Sequence, residues 1–112
     1  MNKIKHGLPQ SVVQDMCAVF ACYPQVEKIL LYGSRAKGNY KNGSDIDLTI
    51  CDNGEMTLRH VSKILDDIDE LLLPHMLDLS LLKQIDDADV LEHVRRVGVL
   101  FYEKERMASP YK

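Results

Sequence analysis

Residues 29–50 read ILLYGSRAKGNYKNGSDIDLTI, and the fold follows from how that stretch is parsed. Val26 to Tyr32 is short, rich in β-formers and closed by glycine, which is a strand pattern with Lys28 at a solvent-reaching end. Gly33 then permits a tight turn, and Ser34-Arg35-Ala36-Lys37 is long enough for one helical turn ended by Gly38. Asn39 to Ser44 is loop by composition, with Asn42-Gly43 its strongest turn signal. From Asp45 onward the alternation is strict. Ile46, Leu48 and Ile50 point to one face of a second strand, and Asp45, Asp47 and Thr49 to the other. A loop of about a dozen residues between two central strands is long by ordinary standards, and so a candidate for function.

Working outward, Pro9 suits the first turn of a helix in which Val12, Val13, Met16, Val19, Phe20 and Tyr23 recur at helical spacing up to Pro24. Asp52-Asn53-Gly54 precedes a helix carrying Leu58, Val61, Ile64, Leu65, Ile68, Leu71 and Leu72 inward and Asp66, Asp67, Asp69 and Glu70 outward, stopped by Pro74. Met76 to Leu82 is a third strand, apolar except for Asp78 and Ser80 on one face. Asp86-Asp87 opens a last helix with Arg95-Arg96 in its final turn, where cations suit the dipole. Gly98 ends it, and Val99 to Tyr102 is a fourth strand. The expected fold is α+β: a four-stranded mixed sheet with helices packed on it, in the order α-β-β-α-β-α-β. We expect one domain over residues 1–105 and a mobile tail over 106–112.

The chain has 112 residues and a net charge of −3, which fits one modest core and gives no strong footprint for nucleic acid. No apolar run approaches the ~20 residues of a membrane span, and the first ten residues lack a signal-peptide apolar region. The three cysteines, Cys17, Cys22 and Cys51, have no CxxC spacing and fall in apolar segments, so we expect reduced core thiols and a cytoplasmic protein.

Asp45 and Asp47 leave one face of a strand roughly 6 to 7 Å apart at the backbone, given a rise of ~3.3 Å per residue. Side-chain rotation brings such a pair within reach of two ions ~3.5 to 4 Å apart, the separation of two-metal phosphoryl-transfer sites. If Asp78 lies on a neighbouring strand, three carboxylates converge, and each pair at ~5 Å repels by about 3 kcal/mol at an effective dielectric of 20. Such a cluster raises a pKa or demands a cation. Taken alone, DxD after a turn reads as a solvent-facing polar edge. Gly33-Ser34 ahead of it tips the reading toward a site, because a turn there presents N–H groups and a hydroxyl to phosphate. Arg35 and Lys37 are near enough in sequence to neutralise a triphosphate, or else are plain surface charge.

Two rival motifs fail. Gly33 to Gly38 has the glycine spacing of a P-loop, but Asn39 stands where the phosphate lysine must be, and no Ser or Thr follows it. Asp45-Ile46-Asp47-Leu48-Thr49 matches the DxDxT loop of haloacid-dehalogenase-like phosphatases, yet there the aspartates follow an apolar strand and here they lead into one. His6, His60, His75 and His93 form no zinc-ligand spacing. His93 reads as a surface or half-buried residue, not a base.

Gly33-Ser34, ten intervening residues and Asp45-Ile46-Asp47, with Asp78 in LDLSLL and Tyr102 after Arg96-Val97-Gly98-Val99, resemble the signature of the DNA polymerase β-like nucleotidyltransferases. GSRAKG with SDIDL is most similar to their minimal nucleotidyltransferase branch, and the likeness spans about residues 8 to 104. The resemblance implies Mg²⁺, as a two-metal site, held by Asp45, Asp47 and Asp78. It implies a nucleoside triphosphate, ATP above all, held at Gly33 and Ser34, and transfer of its nucleotidyl group to a hydroxyl that Asp78 activates. It also implies a small all-helical partner of the HEPN type, as in toxin-antitoxin pairs. The alternative is a nucleotide-binding antitoxin without catalysis, which neutralises its partner by binding alone.

Overall fold

The computed structural model describes residues 4–5, 7–41 and 44–104. The turn expected at Asn42-Gly43 and the tail expected over 106–112 lie outside them. The elements are β1 (Ile4–Lys5), β2 (Leu8–Pro9), α1 (Gln10–Ala21), β3 (Val26–Tyr32), α2 (Gly33–Lys37), β4 (Ile46–Asp52), α3 (Leu58–Asp69), β5 (Leu77–Leu81), a 3₁₀ turn (Leu82–Gln84), α4 (Ala88–Val97) and β6 (Val99–Glu103).

The expected mixed α+β architecture is what the chain forms. One four-stranded sheet has the order β5-β4-β3-β6, with β3 antiparallel to both β4 and β6 and β4 parallel to β5. A parallel pair needs a long crossover, and α3 supplies it. Along β3, β4 and β5 the rows alternate: Leu31, Leu48 and Leu79 align, as do Ile29, Ile50 and Leu81. These side chains are buried with Met16 and Phe20 of α1 and with Val61, Ile64 and Ile68 of α3. The two helices are tied at their ends by the Tyr23 hydroxyl, which donates to Asp67 at 2.5 Å. Burial, then that bond to a carboxylate, pushes the Tyr23 pKa up to about 12.

Several boundaries differ from the sequence reading. A two-residue hairpin, β1 with β2, precedes α1 and buries Leu8; pairs this short leave no periodicity to detect. The second central strand begins at Ile46 instead of Asp45. The helix expected to run to Pro74 ends at Asp69, and Leu72 takes a left-handed φ of 55° with 87% of its surface exposed. Of the residues expected on that helix's inward face, Leu58 and Leu72 lie on the surface, whereas Leu71, beyond the end of α3, still packs against the core. Cys22, at the end of α1, is exposed and not in the core, whereas Cys17 and Cys51 are half-buried; among the described residues none of the three forms a disulfide. No described helix is long and apolar enough to cross a membrane.

Candidate active site

The face of the sheet opposite the α1–α3 core carries the row that matters. Tyr32, Asp47 and Asp78 are aligned neighbours across β3, β4 and β5, and the next row on that face is Leu30, Thr49 and Ser80. Adjacent strands lie ~4.8 Å apart, so Asp47 and Asp78 are direct cross-strand neighbours. Asp45, exposed just ahead of β4, is close enough for its charge to act on Asp47. The Asp47 carboxyl is held above the usual carboxylate range by burial first, then by the Asp78 and Asp45 charges. Burial likewise raises the Tyr32 phenol; a hydrogen bond with Ser80 opposes that, and the Asp78 and Asp47 charges add to it. Below the carboxylates, the Ser80 hydroxyl donates to Thr49 Oγ1 at 3.0 Å, which gives the buried Thr49 its polar partner.

Gly33 closes the site from β3. It has φ 77°, and a Cβ built on it would overlap Asp47 Oδ2, so only glycine lets the turn lie against that carboxylate. The turn leads into α2, where Ser34 is half-exposed and Lys37 exposed. Gly38, at φ 88°, ends α2 as a left-handed cap.

Arg35 is placed differently from Lys37. Only 2% of its surface is exposed. Its Nε and Nη2 donate to the Ser44 carbonyl at 3.1 and 2.8 Å, and the guanidinium stacks on the Tyr40 ring at 5.3 Å. Arg35 therefore pins the far end of the long loop, just before Asp45, back onto α2. Buried arginine looks like surface charge in a sequence, so this clamp was not legible there.

Two further residues belong to the site. Tyr32 flanks Asp47 in the row, which strand register alone would have shown. His93 comes from α4, which packs on β3 and α2; its Nε2 accepts the Gly33 N–H at 3.1 Å and its ring lies edge-on to Tyr32. Nothing in the spacing of His93 signalled that contact.

Among the described residues, no cation comes within salt-bridge distance of Asp45, Asp47 or Asp78. No three His, Cys, Asp or Glu side chains among them stand ready as a metal cage. The chemistry of the donor set still fits a hard cation, since Asp47 and Asp78 are like charges side by side with only carboxylate oxygens to offer. A cavity of about 320 Å³ lies on the other face, between Met16, Leu65, Ile68, Leu73 and Leu77, and is separate from this row.

The molecule is thus a mixed αβ domain with paired carboxylates facing a glycine turn on one sheet surface. Residues 14–107 match the family described as "Polymerase beta, Nucleotidyltransferase", and the chain belongs to that family. No curated protein matches the chain. Among solved structures, a toxin-antitoxin complex with AMP-PNP is 17% identical with a TM-score of 0.67, over 83% of this chain and 74% of that one. A complex of tri-AMPylated Shewanella oneidensis HEPN toxin with MNT antitoxin contains a chain 16% identical with a TM-score of 0.63, over 85% of this chain and 72% of that one. A putative nucleotidyltransferase from Sulfolobus solfataricus is 22% identical with a TM-score of 0.52, over 90% and 91%. These likenesses establish the fold, which is that of the minimal nucleotidyltransferases.

Proposed function

We propose that the protein is a cytoplasmic, Mg²⁺-dependent nucleotidyltransferase that moves AMP from ATP to a hydroxyl on a small all-helical partner of the HEPN type, as the antitoxin of a toxin-antitoxin pair. The observation that carries the reading is the in-register pairing of Asp47 with Asp78 directly against Gly33. Two like charges held side by side, with Asp47 at a loss in solvation, are kept where a cation offsets the repulsion. Mg²⁺ held by Asp45, Asp47 and Asp78 would neutralise developing charge on the phosphates. Ser34 hydrogen-bonds the triphosphate tail, with Lys37 free to approach it from solvent. Arg35 contributes from within by fixing the loop that delivers Asp45. Asp78, at the exposed edge of the row, takes the proton of the acceptor hydroxyl. The acceptor oxygen bonds to the α-phosphorus, the bond to the bridging oxygen breaks and pyrophosphate leaves.

The partner assignment draws on the fold shared with a toxin-antitoxin complex solved with AMP-PNP and with a complex of MNT antitoxin and a tri-AMPylated HEPN toxin. The test is to purify the chain with whatever helical protein accompanies it in its native host, then add α-labelled ATP and Mg²⁺. The expected result is label on the partner, lost in Asp45→Ala with Asp47→Ala. Label that survives the double substitution, or never appears, refutes the catalytic reading. Neutralisation of the partner by the double variant would favour an antitoxin that acts by binding.

A further inference from the structure

His93 packs beside Asp47 from a distant element, and the nucleotide reading gives it no work. It is sixty positions from Gly33 along the chain, yet its Nε2 accepts the Gly33 N–H at 3.1 Å. Its ring meets Tyr32 edge-on, with centroids 6.1 Å apart and planes at 78°. A ring nitrogen that accepts a hydrogen bond bears no proton, so this contact requires the tautomer protonated at Nδ1. The Gly33 amide is the first unpaired donor of α2, and here it is committed to histidine instead of being open to phosphate. The α-carbon of the same glycine lies against Asp47. Gly33 is therefore gripped from two sides, by α4 through its nitrogen and by β4 through its α-carbon.

We infer that His93 is a positioning residue for the triphosphate. It acts through Gly33, fixing the plane of the Tyr32–Gly33 peptide so that the start of α2, which carries Ser34, keeps its place against Asp47. This rests on the nucleotide reading and adds to it a residue from an element far away in sequence. A glycine with left-handed φ has the widest choice of alternative conformations of any residue, so a turn built on it needs an external hold. Tyr32, the residue before the turn, is braced by the same ring.

The inference is tested with two substitutions in the full-length chain. His93→Leu keeps the volume and removes the acceptor; His93→Gln keeps an acceptor at nearly the same reach. We expect Mg²⁺–ATP to bind His93→Leu about fivefold more weakly, the equivalent of one neutral hydrogen bond. Adenosine, which has no phosphate, should bind both proteins equally. His93→Gln should restore ATP binding to within about twofold of wild type, a rescue that packing alone would not produce. In ¹⁵N-labelled protein, the Gly33 amide should exchange faster with solvent in His93→Leu and not in His93→Gln. If His93→Leu does not fold, His93→Asn, whose acceptor stops short of Gly33, serves as the loss variant. Equal ATP affinity in wild type and the loss variant, or no rescue by glutamine, overturns the inference alone. A wild-type protein that binds no Mg²⁺–ATP overturns the nucleotide reading and this inference with it, and the amide exchange still reports whether the hydrogen bond exists.

Discussion

Replacing Asp47 by Asn should make the protein more stable while disabling it. Asp47 and Asp78 are neighbours on parallel strands, so their carboxylates face one another at ~5 Å and repel by about 3 kcal/mol at an effective dielectric of 20. Asp47 is half-buried and Asp78 exposed, so screening by water reduces that to ~1 kcal/mol. Asparagine keeps the shape and removes the charge. For a domain of this size, ~1 kcal/mol raises Tm by about 4 °C. The sign with pH follows from the raised carboxyl: the folded protein binds a proton at Asp47 more readily than the unfolded chain does. The advantage of asparagine is thus complete at pH 8 and fades as pH falls through the folded pKa toward the usual carboxylate value near ~4. Calorimetry of both proteins at pH 8 and pH 4, in chelator and low salt, measures this. Saturating Mg²⁺ should invert the order at pH 8, because only wild type keeps the full carboxylate set. A less stable variant at pH 8 without metal, or a gain indifferent to pH, would refute the electrostatic account of the row.

Other outcomes follow from the same geometry. Gly33→Ala places a Cβ on Asp47 Oδ2 at a left-handed φ, so urea unfolding should show a loss of about 2 kcal/mol and ATP binding should fall with it; a change under ~0.5 kcal/mol would contradict the close approach. Arg35→Lys cannot reproduce two N–H donors to the Ser44 carbonyl from a buried position, and should cost about 2 kcal/mol by denaturant titration although the charge is kept. The Asp52 side chain is 5% exposed; burial works to raise its pKa, but Lys83 and the Met56 and Gly54 N–H groups prevail and hold it below the usual range. Its stabilisation is therefore present above the unfolded value of ~3.9 and lost as pH falls through the folded one, so Asp52→Asn should cost about 2 kcal/mol at pH 7 and almost nothing in strong acid. Urea midpoints across that range check it.

Much of the site was legible because strand alternation is a local property. Ile46, Leu48 and Ile50 declare one face, and Asp47 follows onto the other; Gly33 announces its turn by residue type. The expectation that Asp78 sits beside Asp47 came from resemblance, since a parallel pairing across an intervening helix leaves no trace in spacing. The structure supplies it through the register of β4 with β5. What escaped notice depends on contacts between distant segments. Arg35 is buried because a carbonyl nine residues on and an aromatic ring receive it. His93 matters because α4 returns over the end of β3. The end of α3 is hidden in the sequence for a different reason: Leu71 and Leu72 continue the apolar composition after helical geometry has stopped.

Equilibrium binding of labelled ATP to the purified chain, with Mg²⁺ and then with chelator, probes the proposed site most directly when wild type is run beside Asp45→Asn with Asp47→Asn. One saturable site that needs both the metal and the aspartates is the predicted result. ATP that binds equally well in chelator or to the double variant, or that does not bind wild type at all, would contradict it.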